Sequence, residues 1–193
     1  DGRLTLAPNR SASISSANNY SQIGHGGAGD TANGNMAGDI DVVAQGGGLT
    51  LQAGNSNNSW AQIGHGGIHP DVNNANLDIE QTIQGNITVD ANGPIDMDAG
   101  ERTYSYSQIG HGGYRFGSNV NDNPTEIINS DISVIARTGD LTMDGGPFSA
   151  RSANAGNDNL RAGDARWTMI GHGGWDGEYN VDADIDVEVT EGN

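Results

Sequence analysis

The chain contains no cysteine, which excludes a disulfide framework and any thiolate metal site. Aromatic side chains make up only 5% of it, and eight Lys and Arg face 25 Asp and Glu. With a formal net charge of −17 and no basic stripe, the chain would be repelled by phosphate backbones, so nucleic acid is excluded as a partner. No apolar run approaches the ~20 residues a helix needs to cross a bilayer, and no membrane-spanning segment is expected. Also missing are a Walker phosphate loop, a nucleophile elbow and a regular carboxylate pair; the expectation is a protein that is not an enzyme. The first residue is Asp1 rather than Met, which suggests a processed product or an excerpt of something longer.

Hydrophobic residues are scarce too, at 34%, and low hydrophobicity with high net charge ordinarily means disorder. What is present argues otherwise. The hexamer Gln-Ile-Gly-His-Gly-Gly stands at Gln22–Gly27, Gln62–Gly67 and Gln108–Gly113, and again at Met169–Gly174 with Met169 in place of Gln. A disordered tail has no reason to keep Ile, Gly and His in register. A solenoid does, because it needs only a narrow core of stacked aliphatics and can place its 31 Gly and many Asn in turns.

Three short strand signals recur in fixed order, each alternating apolar and polar as one-sided burial requires. The first is Leu4-Thr5-Leu6, Leu49-Thr50-Leu51, Ile95-Asp96-Met97 and Leu141-Thr142-Met143, whose starts lie 45, 46 and 46 residues apart (49 − 4, 95 − 49, 141 − 95). The second runs into the hexamer, as in Trp60-Ala61-Gln62-Ile63. The third is Ile40-Asp41-Val42, Ile87-Thr88-Val89, Ile132-Ser133-Val134 and Ile185-Asp186-Val187. Short Gly-bearing turns such as Asn92-Gly93-Pro94 leave no room for a crossover helix. Longer polar connections vary in length, as loops protruding from a fixed coil should.

The expected fold is therefore all-β: a single-domain parallel β-solenoid of four coils, about 46 residues each, with three strands per coil and long protruding loops. The repeats are approximately residues 4–48, 49–94, 95–140 and 141–193. A competing register splits each repeat into two shorter coils and pairs loop segments such as Leu77-Asp78-Ile79.

Segments such as Gly38-Asp39-Ile40-Asp41-Val42 and Gly48-Leu49-Thr50-Leu51-Gln52-Ala53-Gly54 resemble the repeats of filamentous-haemagglutinin-like bacterial exoproteins, and the hexamer is similar to one found in large surface proteins of that group. The resemblance spans all four repeats. It implies a right-handed β-helix, export to the bacterial cell surface, and adhesive or filament-forming roles.

The two ends of the chain bear on assembly. The segment from Ile185 through Asn193 and on from Asp1 to Leu4 would recreate the internal turn between third and first signals, 12 residues against 9 from Ile40 to Leu49. No polar cap is evident, and open solenoid ends recruit further strands. The expected partners are copies of the chain stacked head to tail, or flanking repeats of a longer chain, in an extracellular filament or adhesin. The alternative is a carbohydrate-binding or carbohydrate-cleaving β-helix, with a glycan or cell-surface ligand.

Candidate site residues follow from the stacking. His25, His65, His111 and His172 should form a ladder with rings ~5 Å apart, either structural or, since imidazole suits transition metals, a metal row. Ile23, Ile63, Ile109 and Ile170 should point inward beside it. By parity, Tyr20, Trp60, Tyr106 and Trp167 fall on the opposite, outer face with Gln22, Gln62 and Gln108. Such a strip is either a stacked structural ladder, shielded by the loops, or a surface for sugar. His69 reads as a loop residue. Asp and Asn in the loops at Asp71–Asn74, Asn119–Asn123 and Asp176–Glu178 could hold Ca²⁺ or simply make Asx turns; no other cofactor is expected.

Overall fold

The computed structural model describes residues 2–8, 19–28, 35–68, 82–114, 125–145, 166–174 and 179–192. These residues form strands and turns and no helix. The first repeat holds β1 (Leu4–Leu6), β2 (Tyr20–Ile23), β3 (Gly26–Ala28), β4 (Met36–Ala37) and β5 (Ile40–Ala44). The second holds β6 (Leu49–Gln52), β7 (Trp60–Ile63), β8 (Gly66–Ile68), β9 (Thr82–Gln84) and β10 (Ile87–Ala91). The third holds β11 (Ile95–Asp98), β12 (Tyr106–Ile109), β13 (Thr125–Ile128) and β14 (Ile132–Ala136), and the fourth β15 (Leu141–Asp144), β16 (Trp167–Ile170), β17 (Tyr179–Asp182) and β18 (Ile185–Val189).

Strands pair with their equivalents in neighbouring repeats, in parallel. The sheets run β1-β6-β11-β15, β2-β7-β12-β16, β4-β9-β13-β17 and β5-β10-β14-β18, and β3 pairs with β8 alone. The register is the one that the hydrophobic spacing demands. Leu4 lies beside Leu49, Leu49 beside Ile95, and Ile95 beside Leu141; Ile40, Ile87, Ile132 and Ile185 line up likewise. A slip of one residue would turn each aliphatic row to solvent, so burial fixes the register. Within β5, Ile40, Val42 and Ala44 are buried while Asp41 and Val43 face out.

Two rows of strands add to the expected three: the short β3-β8 pair at the end of the hexamer and one row of four. In the row β4, β9, β13 and β17 the first three strands lie in segments read from the sequence as loops, and β17 falls between the last hexamer and the last third signal, where no strand was expected. The row's register aligns Met36, Ile83, Ile127 and Val181 across repeats; the first three are buried, while Val181 in the last repeat is 48% exposed. Their spacing from the preceding hexamer varies, which hid them. Their spacing to the following Ile is nearly constant: four residues for Met36, Ile83 and Val181 and five for Ile127 (40 − 36, 87 − 83, 185 − 181, 132 − 127). Asn129, at φ 48°, accommodates the extra residue in the left-handed region that Asn tolerates better than most residues. The alternative pairing through Leu77–Ile79 lies outside the described residues.

The main core draws on three of these sheets. It combines Leu6, Leu49, Leu51, Ile95 and Met97 with Ile63 and Ile109 and with Ile40, Val42, Ile87, Val89, Ile132 and Val134. Met36, Ile83 and Ile127 form a smaller cluster with Tyr179. The two ends of the stack differ. Ile40 and Val42 in the first repeat are 7% and 6% exposed, whereas their fourth-repeat equivalents Ile185 and Val187 are 49% and 42% exposed.

Candidate functional site

The hexamer begins as a strand and turns at its first glycine. Gly64 and Gly110 have φ of +151° and +148°, where glycine is favoured over residues with a side chain. A Cβ on either would also collide with the carbonyl oxygen of the equivalent glycine one repeat on. Glycine here lets neighbouring backbones close up, and that closeness brings three side-chain rows into contact.

The histidine rings stack. Centroid separations are 4.9 Å for His25–His65, 4.8 Å for His65–His111 and 5.1 Å for His111–His172. The backbone N–H of His25 donates to His65 Nδ1 (2.9 Å), that of His65 to His111 Nδ1 (2.8 Å), and that of His111 to His172 Nδ1 (3.2 Å). An Nδ1 that accepts must be unprotonated, so the neutral ring carries its proton on Nε2. That proton points at a carbonyl oxygen: Gly38 for His65 (2.9 Å), Gly85 for His111 (2.9 Å) and Ser130 for His172 (2.5 Å). Burial opposes protonation. It holds His65 and His172 below the usual imidazole value and takes His111 down to about 3.

This geometry bears on the metal reading of His25, His65, His111 and His172. A metal ligand needs a nitrogen lone pair. In His65, His111 and His172 the Nδ1 lone pair faces an N–H and Nε2 faces a carbonyl. Among the described residues no group of three or more His, Asp and Glu is placed to hold a metal ion.

The glutamines form the second row, each reaching forward to the next repeat. Gln22 Nε2 donates to Gly64 O and Gly66 O (3.0 and 3.1 Å), Gln62 Nε2 to Gly110 O and Gly112 O (both 3.0 Å), and Gln108 Nε2 to Gly171 O and Gly173 O (3.1 and 3.0 Å). An amide atom ringed by carbonyl oxygens has to be the nitrogen, which settles the orientation. Gln62 and Gln108 are fully buried.

The aromatics form the third row, with Tyr20–Trp60 at 4.4 Å, Trp60–Tyr106 at 6.0 Å and Tyr106–Trp167 at 4.4 Å, all stacked. Parity places them opposite Ile63 and Ile109, as expected, yet this face is not open. Trp60 and Tyr106 are 0% exposed, in a second core with Ile68 and Tyr114. The covering residues directly follow the hexamers: Ala28, Ile68 and Tyr114. An apolar residue after each Gly-Gly pair was the available signal. At the two ends Tyr20 is 45% exposed and Trp167 partly so.

A fourth row was not anticipated. Asp39 Oδ1 accepts from the Asn86 N–H (2.9 Å), Asn86 Oδ1 from Asp131 N–H (3.0 Å) and Asp131 Oδ1 from Asp184 N–H (2.9 Å). These are the Asx residues immediately before each third-signal Ile. Of the other candidates, Ile23, Ile63, Ile109 and Ile170 pack in or against the main core. His69 and the calcium candidates at 71–74, 119–123 and 176–178 lie outside the described residues.

Comparison of the chain with protein-family models, with curated proteins and with solved structures gave no match.

Proposed function

We propose that this chain is a structural segment of an extracellular bacterial surface filament or adhesin. In this reading its repeats wind as a closed right-handed β-solenoid of four coils, and units stack head to tail through their open ends. One observation carries the reading: the side chains that make the hexamer distinctive are engaged in contacts between repeats. Histidine nitrogens and glutamine amides bond the neighbouring repeats, and the rings stack on one another. Residues recurring in three or all four repeats and consumed in this way serve architecture, whereas an active site concentrates a few residues in one cleft. Surface location and the right hand follow the resemblance to haemagglutinin-like exoproteins. The glycan-binding alternative lacks comparable support, because its aromatic platform is buried at Trp60 and Tyr106.

Head-to-tail stacking is supported by complementary ends. His172 N–H and Asp184 Oδ1 occupy the positions that, in inner repeats, donate to the next ring and accept from the next Asx N–H. The first repeat would present His25 Nδ1 and Asp39 N–H to them. Electron microscopy and sedimentation of the purified chain over a concentration series test this, beside two copies fused in tandem. The expected results are linear end-to-end particles and one cooperative transition of the fusion, above that of the single unit. Single-unit particles at every concentration, with the fusion unfolding as two independent units, would overturn it.

A further inference from the structure

The glutamine row is broken at one place. Met169 lies in register with Gln108, as Gln108 does with Gln62 and Gln62 with Gln22. Each glutamine serves the carbonyls of the repeat after its own. The fourth repeat's own carbonyls, Gly171 O and Gly173 O, are already served by Gln108. Inside this unit methionine at 169 forgoes only the long contact that each glutamine makes to the hexamer His carbonyl of its own repeat (3.2–3.4 Å). Its main effect falls on whatever is placed upon the fourth repeat.

The surface awaiting a partner is defined on both sides. On the fourth repeat, Ile185, Val187 and Val189 are exposed although their equivalents one repeat back are buried. On the first repeat, Gly24 and Gly26 are exposed, and they are the equivalents of the glycines whose carbonyls accept from glutamine elsewhere. The imidazole and Asx rows of the first repeat match those of the fourth in residue type, and Ile40 and Val42, already 7% and 6% exposed in the single unit, continue its aliphatic row in sequence, so a second copy of this chain continues every row but one. Docking would bury the Gly24 and Gly26 carbonyls against a thioether that cannot donate, stripping their water without replacing it.

We propose that Met169 is a stop in the amide row, which makes the joint between two copies of this chain weaker than the joints between its own repeats. This rests on the head-to-tail reading and sets its strength. An array of such units parts at Met169 rather than within a unit.

The experiment compares the natural chain with Met169→Gln and Met169→Leu by sedimentation velocity over a concentration series, with Val187→Lys added to Met169→Gln to show that association is end-on. Glutamine occupies three equivalent positions, and unfolding of the dilute single unit, followed by circular dichroism, checks that each variant folds. Met169→Gln should associate about tenfold or more tightly than the natural chain, Met169→Leu should match the natural chain, and Val187→Lys should abolish the gain. If the natural chain associates end-on and Met169→Gln does no better than Met169→Leu, the stop is refuted while head-to-tail stacking stands. If only Met169→Gln associates, the stop is supported and unaided stacking of the natural chain is refuted. If no variant associates, both fall.

Discussion

Replacing His111 by alanine removes an acceptor and a donor together. The His65 N–H loses Nδ1 in a buried setting and the Gly85 carbonyl loses Nε2–H in a part-buried one. Each orphaned group costs about 1–3 kcal/mol, so His111→Ala should destabilise the unit by about 2–5 kcal/mol in urea unfolding. His25→Ala should cost well under ~1 kcal/mol, since His25 lies at the exposed end and its backbone N–H keeps its bond to His65 Nδ1. Equal losses at the two positions would refute the role assigned to the ring nitrogens. The same bonds predict acid sensitivity. Above pH 6.5, the ordinary imidazole value, folded and unfolded chains are both neutral at His111 and stability is flat. Below it the unfolded chain takes up a proton that the folded chain refuses until about pH 3. Stability therefore falls as pH falls through that window, by up to about 1.4 kcal/mol per pH unit for His111, with His65 and His172 acting in the same sense. Urea midpoints at pH 7.5, 6 and 5, where ordinary carboxylates remain largely ionised, should decline, and more shallowly in His111→Ala. A flat profile would contradict the neutral stack.

At the scale of the strand, the contrast between Gln108 and Met169 separates a bond made within the unit from one that would be made beyond it. Gln108→Met should cost about 1–3 kcal/mol for each carbonyl left unserved, Gly171 O and Gly173 O, in thermal or urea unfolding. Met169→Gln should change the isolated unit far less by the same measurement, since it adds only the long contact to the His172 carbonyl that the other glutamines make in their own repeats. Legibility divides along a similar line. The row from Leu4 to Leu141 was readable from its constant period, the hexamers from their near-identity despite unequal spacing, and the row from Ile40 to Ile185 from its Ile-x-Val alternation, which reports burial. The row beginning at Met36 was not, because its strands are two to four residues long, share no repeated motif and follow connections of unequal length. The face of Trp60 was placed by parity, yet its burial depends on Ile68 and Tyr114 folding over it, a tertiary relation that alternation does not encode. Likewise a row of histidines is visible in sequence. That Nδ1 accepts from a backbone N–H one repeat away is not, because it needs the pitch and lean of the strands.

For the molecule as a whole, nearest-neighbour stacking makes inner repeats depend on both sides and outer ones on a single side. Val134 and Val187 are paired equivalents in adjacent repeats, 1% and 42% exposed, so the same substitution should act differently at each. A lysine at 134 would bury an unpaired charge and should unfold the unit. At 187 its stem can lie along the last aliphatic row while the ammonium reaches water past the end of the stack, and the unfolding midpoint of a dilute sample should hardly move. The same ammonium would be trapped in the joint beneath an incoming copy, and an inward-pointing charge on an open edge is a known barrier to strand addition. Val187→Lys should therefore suppress end-to-end particles in sedimentation and microscopy while preserving the folded unit. Should it unfold the chain as thoroughly as Val134→Lys, the fourth repeat would have to be buried within the single unit. Should it fold and still form linear particles, the joint would have to lie elsewhere than on the row of Ile185, Val187 and Val189.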